Sequence, residues 1–144
     1  MHMREKDWEK AHTDFFEAFK NYDEAGSPRR LSCLKYLILA YILSASEISP
    51  FDAAEVKPYK NEPEIVVMSN LVVAYEKMEN KKFEEILRTK SIQEDSFIRD
   101  YVPELLTLIQ TKVLLKLLSA YSWALQPQHL APHPDQIAMT LTFV

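Results

Sequence analysis

The amino-acid sequence predicts an all-α fold, an antiparallel array of stacked helices, and three observations carry that prediction. The chain of 144 residues contains a single glycine, Gly26, where ordinary usage of about 7% would supply roughly ten. Apolar residues recur at spacings of three and four through most of the chain, the period of one helix face. Prolines stand just after polar residues at the points where new periodic segments begin, the usual position for Pro in a first helical turn. Hairpin turns and phosphate-cradling loops depend on glycine's positive φ or missing Cβ, so one glycine excludes dinucleotide and Walker-type loops and a G-x-S-x-G elbow, and makes an all-β fold a poor expectation.

The first periodic segment runs from Lys6 to Glu24, with Trp8, Ala11, Phe15, Phe19 and Tyr22 on one face and Phe16 widening it. Gly26 ends it, Ser27 offers a capping oxygen and Pro28 opens the next helix, expected to reach about Ser44. There Leu31, Leu34, Ile38 and Tyr41 form one stripe and Cys33, Leu37 and Ala40 an adjacent one, an arc wide enough to require neighbours on more than one side. Between Ser46 and Glu62 the sequence reads as a loop punctuated by Pro50 and Pro58, which Phe51, Val56 and Tyr59 should pin to the helices. A third helix is expected from Asn61, with Pro63 in its first turn, Glu64 completing a capping box, and Ile65, Met68, Leu71, Val72, Tyr75 and Met78 buried. A short fourth helix, Lys81 to about Lys90, should bury Phe83, Ile86 and Leu87. The fifth segment, Asp95 to Tyr121, should bury Phe97, Ile98, Tyr101, Leu105, Leu108, Ile109 and Leu115, with a kink or a helix junction at Pro103. After Ser122 the pattern stops, and Pro127, Pro132 and Pro134 preclude a continuous helix.

A net charge of −4 and a pI near 5.6 provide no basic field for nucleic acid. The longest apolar run, Tyr36 to Leu43, falls far short of the roughly 20 residues needed to span a bilayer. The polar start of the sequence does not read as a signal peptide, and the lone Cys33 excludes an intramolecular disulfide. Histidines His2, His12, His129 and His133 belong to no metal motif, because Pro132 interrupts the one pair at helical spacing, His129 and His133. His12 reads as a packing histidine, Cys33 as a small buried hydrophobe, Glu84 and Glu85 as solvated helix face, and Glu94 and Asp95 as a cap. The reading is a non-enzyme without cofactor or metal. Candidate partner contacts are two cationic clusters, Arg29 with Arg30 at a helix start and Lys57 with Tyr59 and Lys60 on the loop. A local salt bridge is the plainer expectation for the arginines, as is a solvated face for Lys81, Lys82, Arg88 and Lys90.

Ala11, Phe15 and Ala18 reproduce the A-x3-F-x2-A spacing of a tetratricopeptide second helix, with no first helix before it, so the chain reads as entering a repeat halfway. The blocks Glu9 to Asp23, Gly26-Ser-Pro-Arg-Arg, Cys33-Leu-Lys-Tyr-Leu, Pro50-Phe-Asp, Lys57-Pro-Tyr-Lys-Asn and Pro63-Glu-Ile together resemble the subunit 2 family of the COP9 signalosome, across residues 4 to about 121. The more distant resemblance is to the corresponding helical subunit of the 26S proteasome lid, which is the alternative reading. The resemblance implies a tetratricopeptide-like pair over 1–48, the helical part of a PCI domain over 49–121, and a divergent Pro-rich tail over 122–144 without the family's winged helix. It also implies scaffolding that supports removal of a ubiquitin-like modifier from cullins, with the metalloprotease on another subunit. Expected partners are other signalosome subunits and a cullin–RING ligase, with no nucleic acid or membrane, and the expected location is nucleus and cytoplasm.

Overall fold

In the computed structural model the residues described are Met3 and 6–126. Among them lie seven α-helices, two short 3-10 turns and no strand, as an all-α array requires. The helices are α1 (Trp8–Glu24), α2 (Arg29–Ser44), α3 (Pro63–Glu76), α4 (Asn80–Leu87), α5 (Lys90–Glu94), α6 (Ser96–Asp100) and α7 (Val102–Ala124). The described residues divide after Ile109 into two compact units.

In the first unit, α1 and α2 form a hairpin whose turn is dictated locally. Asp7 caps α1 by accepting from the Lys10 amide at 3.3 Å. At the other end Gly26 adopts φ +67°, the Ser27 amide reaches back to the Tyr22 carbonyl at 2.9 Å and the Gly26 amide to Asp23 at 3.0 Å. These two bonds are a Schellman motif, which satisfies carbonyls that the helix end would otherwise strand. Ser27 Oγ then accepts from the Arg29 amide at 3.3 Å, so one turn closes a helix and opens the next.

The wide apolar arc of α2 has a simple outcome: every residue from Leu37 to Leu43 is buried. A helix buried on all sides needs neighbours all round, and α2 packs against α1, α3 and the Pro50–Asp52 turn. Ala11, Phe19, Ile65, Met68, Leu71, Val72, Phe83, Leu87, Ile98, Leu105 and Ile109 complete the same core. The connection expected as a pinned loop carries two 3-10 turns, Pro50–Asp52 and Lys57–Tyr59, and seats Val56 with no exposure at all. Phe51 and Tyr59 are half-buried beside it.

Several expected boundaries move, each for a local reason. Helix α3 starts at Pro63 with Glu62 at its N-cap and no side-chain capping bond, so the Asn61 capping box does not form. Met78 falls outside the helix: at φ +56° it occupies the left-handed position of a second Schellman motif, where Glu79 N–H meets the Ala74 carbonyl at 2.9 Å. The expected fourth helix stops at Leu87 rather than near Lys90, because Thr89 turns its hydroxyl onto the Ile86 carbonyl and a separate α5 begins at Lys90. Pro103 marks a junction of two helices, α6 and α7, and lies in the first turn of α7.

The second unit, from Gln110 on, contains the remaining turns of α7. Leu115, expected in the core, is 60% exposed there. The helix continues to Ala124, past the expected end at Tyr121. His129, His133 and the three tail prolines lie outside the described residues.

Candidate functional site

The two cationic clusters singled out in the sequence come together at the α1–α2 turn. Tyr59, carried by the second 3-10 turn, donates its phenol hydrogen to Asp23 Oδ1 near the end of α1. Arg30, in the first turn of α2, stacks its guanidinium over the Tyr59 ring at 5.2 Å and lies 4.0 Å from the same Asp23 oxygen. Phe19 meets the Tyr59 ring edge-on at 5.7 Å. Tyr59 therefore clasps the connection to the hairpin, and its phenol pKa is raised, first by the bond to Asp23 and then by burial. Arg30 carries the local salt bridge that its position predicts, while its Nε atom is buried with no hydrogen-bond partner.

Arg29, Lys57 and Lys60 are exposed around this clasp. The Lys60 ammonium also covers the Phe51 ring at 5.7 Å, which holds the side chain against the surface. Two cations thus lie over aromatic rings on this surface, Arg30 over Tyr59 and Lys60 over Phe51.

A second polar cluster, which the sequence pattern did not reveal, ties α2, α3 and α6 together. Lys35 is largely buried and places its ammonium 3.3 Å from Asp95 Oδ2 and 3.6 Å from Glu64. The other Asp95 oxygen caps α6, accepting from the Phe97 and Ile98 amides at 3.1 and 3.2 Å. Asp95 is a cap, as its place before a helix predicts, but its second role needs a partner 60 positions away. A groove of about 260 Å³ adjoins this cluster, walled by Pro63, Val67, Met68 and Ile92 with Lys35 and Glu64 at its edge.

The other titratable candidates face apolar surroundings. Cys33 is half-buried rather than fully so, and burial raises its thiol pKa, which opposes the thiolate a nucleophile requires. Burial lowers the pKa of His12, whose Nε2 is enclosed without a hydrogen-bond partner, so it packs without being satisfied. Among the described residues no group of three or more His, Cys, Asp or Glu could hold a metal ion, and no helix is long and apolar enough to cross a membrane. Lys82, Arg88 and Lys90 pair with Glu79, Glu84 and Glu94 along exposed helix faces, the solvated arrangement their sequence suggests.

The all-helical array of the described residues is consistent with a helical-repeat scaffold of the PCI type. The chain matches COP9 signalosome complex subunit 2. It is 62% identical over 124 residues to that subunit of Dictyostelium discoideum and 58% identical over 123 residues to that of Drosophila melanogaster. These alignments take in 85% and 84% of this chain, and the chain spans 28% of the length of each relative. A 26S proteasome non-ATPase regulatory subunit 11 homolog of Arabidopsis thaliana is 25% identical over 126 residues, which makes the proteasome likeness distant. No family model matches the chain.

Proposed function

We propose that this chain is a non-catalytic scaffold segment of a COP9 signalosome, holding helices in place while another subunit cleaves the modifier from cullin. The identity to signalosome subunit 2, 62% in one relative against 25% for the proteasome subunit homolog, is the observation that carries this reading. The fold supports it, since its two polar clusters join helices to one another rather than converge on a reacting centre. On this reading residues 1–48 are a tetratricopeptide-like pair, 49–121 a PCI-type bundle segment and 122–144 a divergent tail. Its partners are other signalosome subunits and a cullin–RING ligase, in nucleus and cytoplasm. Arg29, Lys57 and Lys60 offer cations to an acidic partner segment, with Arg30 and Tyr59 shaping the floor beneath them.

The test is reconstitution of the tagged chain with purified signalosome subunits, compared with proteasome lid subunits, read by size-exclusion chromatography. Co-elution with signalosome subunits, weakened in a triple Arg29→Glu, Lys57→Glu, Lys60→Glu variant, is the expected result. Co-elution with lid subunits instead would favour the alternative. Binding to neither set would refute the scaffold reading for this chain.

A further inference from the structure

The groove beside Lys35 lies wholly within the first unit, among residues of α2, α3, α5 and α6. Its floor is buried apolar surface: Met68, Ile92 and Ile98 are each no more than 2% exposed, with Pro63 and Val67 as walls. Its volume of about 260 Å³ falls below the roughly 300–1,000 Å³ of small-molecule sites, so it has room for one long side chain rather than a cofactor. Three ionised groups stand beside it, the Lys35 ammonium with Asp95 at 3.3 Å and Glu64 at 3.6 Å, so their formal charges sum to −1. The partial positive charge at the N-terminus of α3, roughly half a unit, does not cancel that excess.

We propose that this groove seats an arginine side chain from a segment of another protein. The charges select the occupant. Asp95 is committed, accepting from Lys35, from the Phe97 and Ile98 amides and from the Tyr36 phenol. Glu64 lines the groove, its side chain is 58% exposed and it shares its cation with Asp95, so it is the carboxylate that can accept a further cation. An acidic or phosphorylated segment would add a third negative charge beside Lys35, and a neutral apolar one would desolvate Glu64 without giving it a new partner. A basic side chain meets both demands, with its methylene stem on Val67, Met68 and Ile92 and its charged head at Glu64 on the rim. Arginine suits better than lysine, because its guanidinium is more weakly hydrated and forks onto a carboxylate through two hydrogen bonds. Residues 127–144 contain no arginine or lysine, so that part of the chain cannot supply the occupant. The groove shares no residue with the α1–α2 clasp, and the inference does not rest on the signalosome reading.

The test is methyl NMR of the full chain titrated with the peptide acetyl-Ala-Ala-Arg-Ala-Ala-amide, against peptides carrying norleucine or glutamate in place of arginine. The arginine peptide should shift the Met68, Ile92 and Ile98 methyl signals with a dissociation constant on the order of 1–10 mM, as one side chain allows. The norleucine and glutamate peptides should bind at least about fivefold more weakly. Glu64→Gln should weaken the arginine peptide about fivefold, and Glu17→Gln, an equal loss of charge at an exposed position on α1, should leave it within about twofold. Glu64 is exposed, so an unchanged circular dichroism melt will show that the variant remains folded, and the peptide comparison on the unaltered chain does not depend on it. No methyl shift at about 50 mM arginine peptide, norleucine binding as tightly as arginine, or indifference to Glu64→Gln would overturn the proposal. Groove methyl shifts that follow the concentration of the chain alone would overturn it equally, by making a second copy the occupant.

Discussion

Replacing Asp95 separates two tasks of its carboxylate, the helix cap and the ion pair, which it performs beside a hydrogen bond from the Tyr36 phenol. Oδ1 accepts from the amides of Phe97 and Ile98, and Oδ2 faces the Lys35 ammonium at 3.3 Å. Asp95→Ser keeps a capping oxygen and removes the charge, whereas Asp95→Ala removes both. Loss of a cap costs about 1 kcal/mol. The ion pair is more enclosed than a surface pair, with side chains 18 and 13% exposed, and Lys35 retains only the more exposed Glu64 when Asp95 is lost. That places its loss above the ~1 kcal/mol ceiling of surface pairs and below the 3–5 kcal/mol of fully buried ones, at about 1–2 kcal/mol. Expected destabilisation is therefore about 1–2 kcal/mol for Asp95→Ser and 2–3 kcal/mol for Asp95→Ala, read by urea unfolding with far-UV circular dichroism. Lys35→Met combined with Asp95→Ser should cost about 1 kcal/mol less than the sum of the single changes. Additive effects within 0.3 kcal/mol would refute the claim that this pair joins α2 to α6.

Two backbone changes should act with opposite sign. Gly26→Ala forces a Cβ into φ +67° with no neighbouring atom to blame, and should lower stability by about 1 kcal/mol in the same unfolding assay. Ala45→Gly, at φ +52° on the exposed end of α2, should raise it by about 0.5 kcal/mol once the extra freedom of the unfolded chain is counted. Tyr59→Phe keeps the ring under Arg30 but loses the bond to Asp23, so a drop of about 1 kcal/mol is expected, with Tyr59→Ala costing more. Tyr41 has its phenol pKa raised to about 12 by burial and then by Glu76, to which it donates at 3.2 Å. The folded state holds that proton above pH 10 when the unfolded chain has released it, so this contribution is full below pH 10 and lost as pH rises toward 12; absorbance at 295 nm should show a late-titrating component that shrinks in Tyr41→Phe. His12 behaves oppositely: its lowered pKa means the unfolded chain takes up the proton first, so stability falls as pH drops below 6.5, and His12→Gln should flatten that fall.

The sequence by itself determined the helical class, the α1–α2 hairpin and most of the core. Those features rest on local chemistry: the 3.6-residue period of Trp8 to Phe19, the positive φ available to Gly26, and the fixed φ of Pro28 and Pro63 beside them. The loop anchors Val56 and Tyr59 were legible for the same reason, as apolar residues in a segment with no period. Tertiary structure alone decided what periodicity cannot encode. Met78 and Leu115 continue an apolar stripe, but one lies past a helix end closed by backbone bonds and the other is exposed on α7. Asp95 announced itself as a cap, yet its pairing with Lys35 depended on the chain returning across 60 positions. The cationic clusters at Arg29–Arg30 and Lys57–Lys60 were visible as charges, but only folding stacked Arg30 on Tyr59 over Asp23 and left Arg29, Lys57 and Lys60 at the surface. Local preference sets which residues turn and which face inward; the partner each polar group finds is set by packing, because burying a charge is tolerable only where the fold brings its counter-charge.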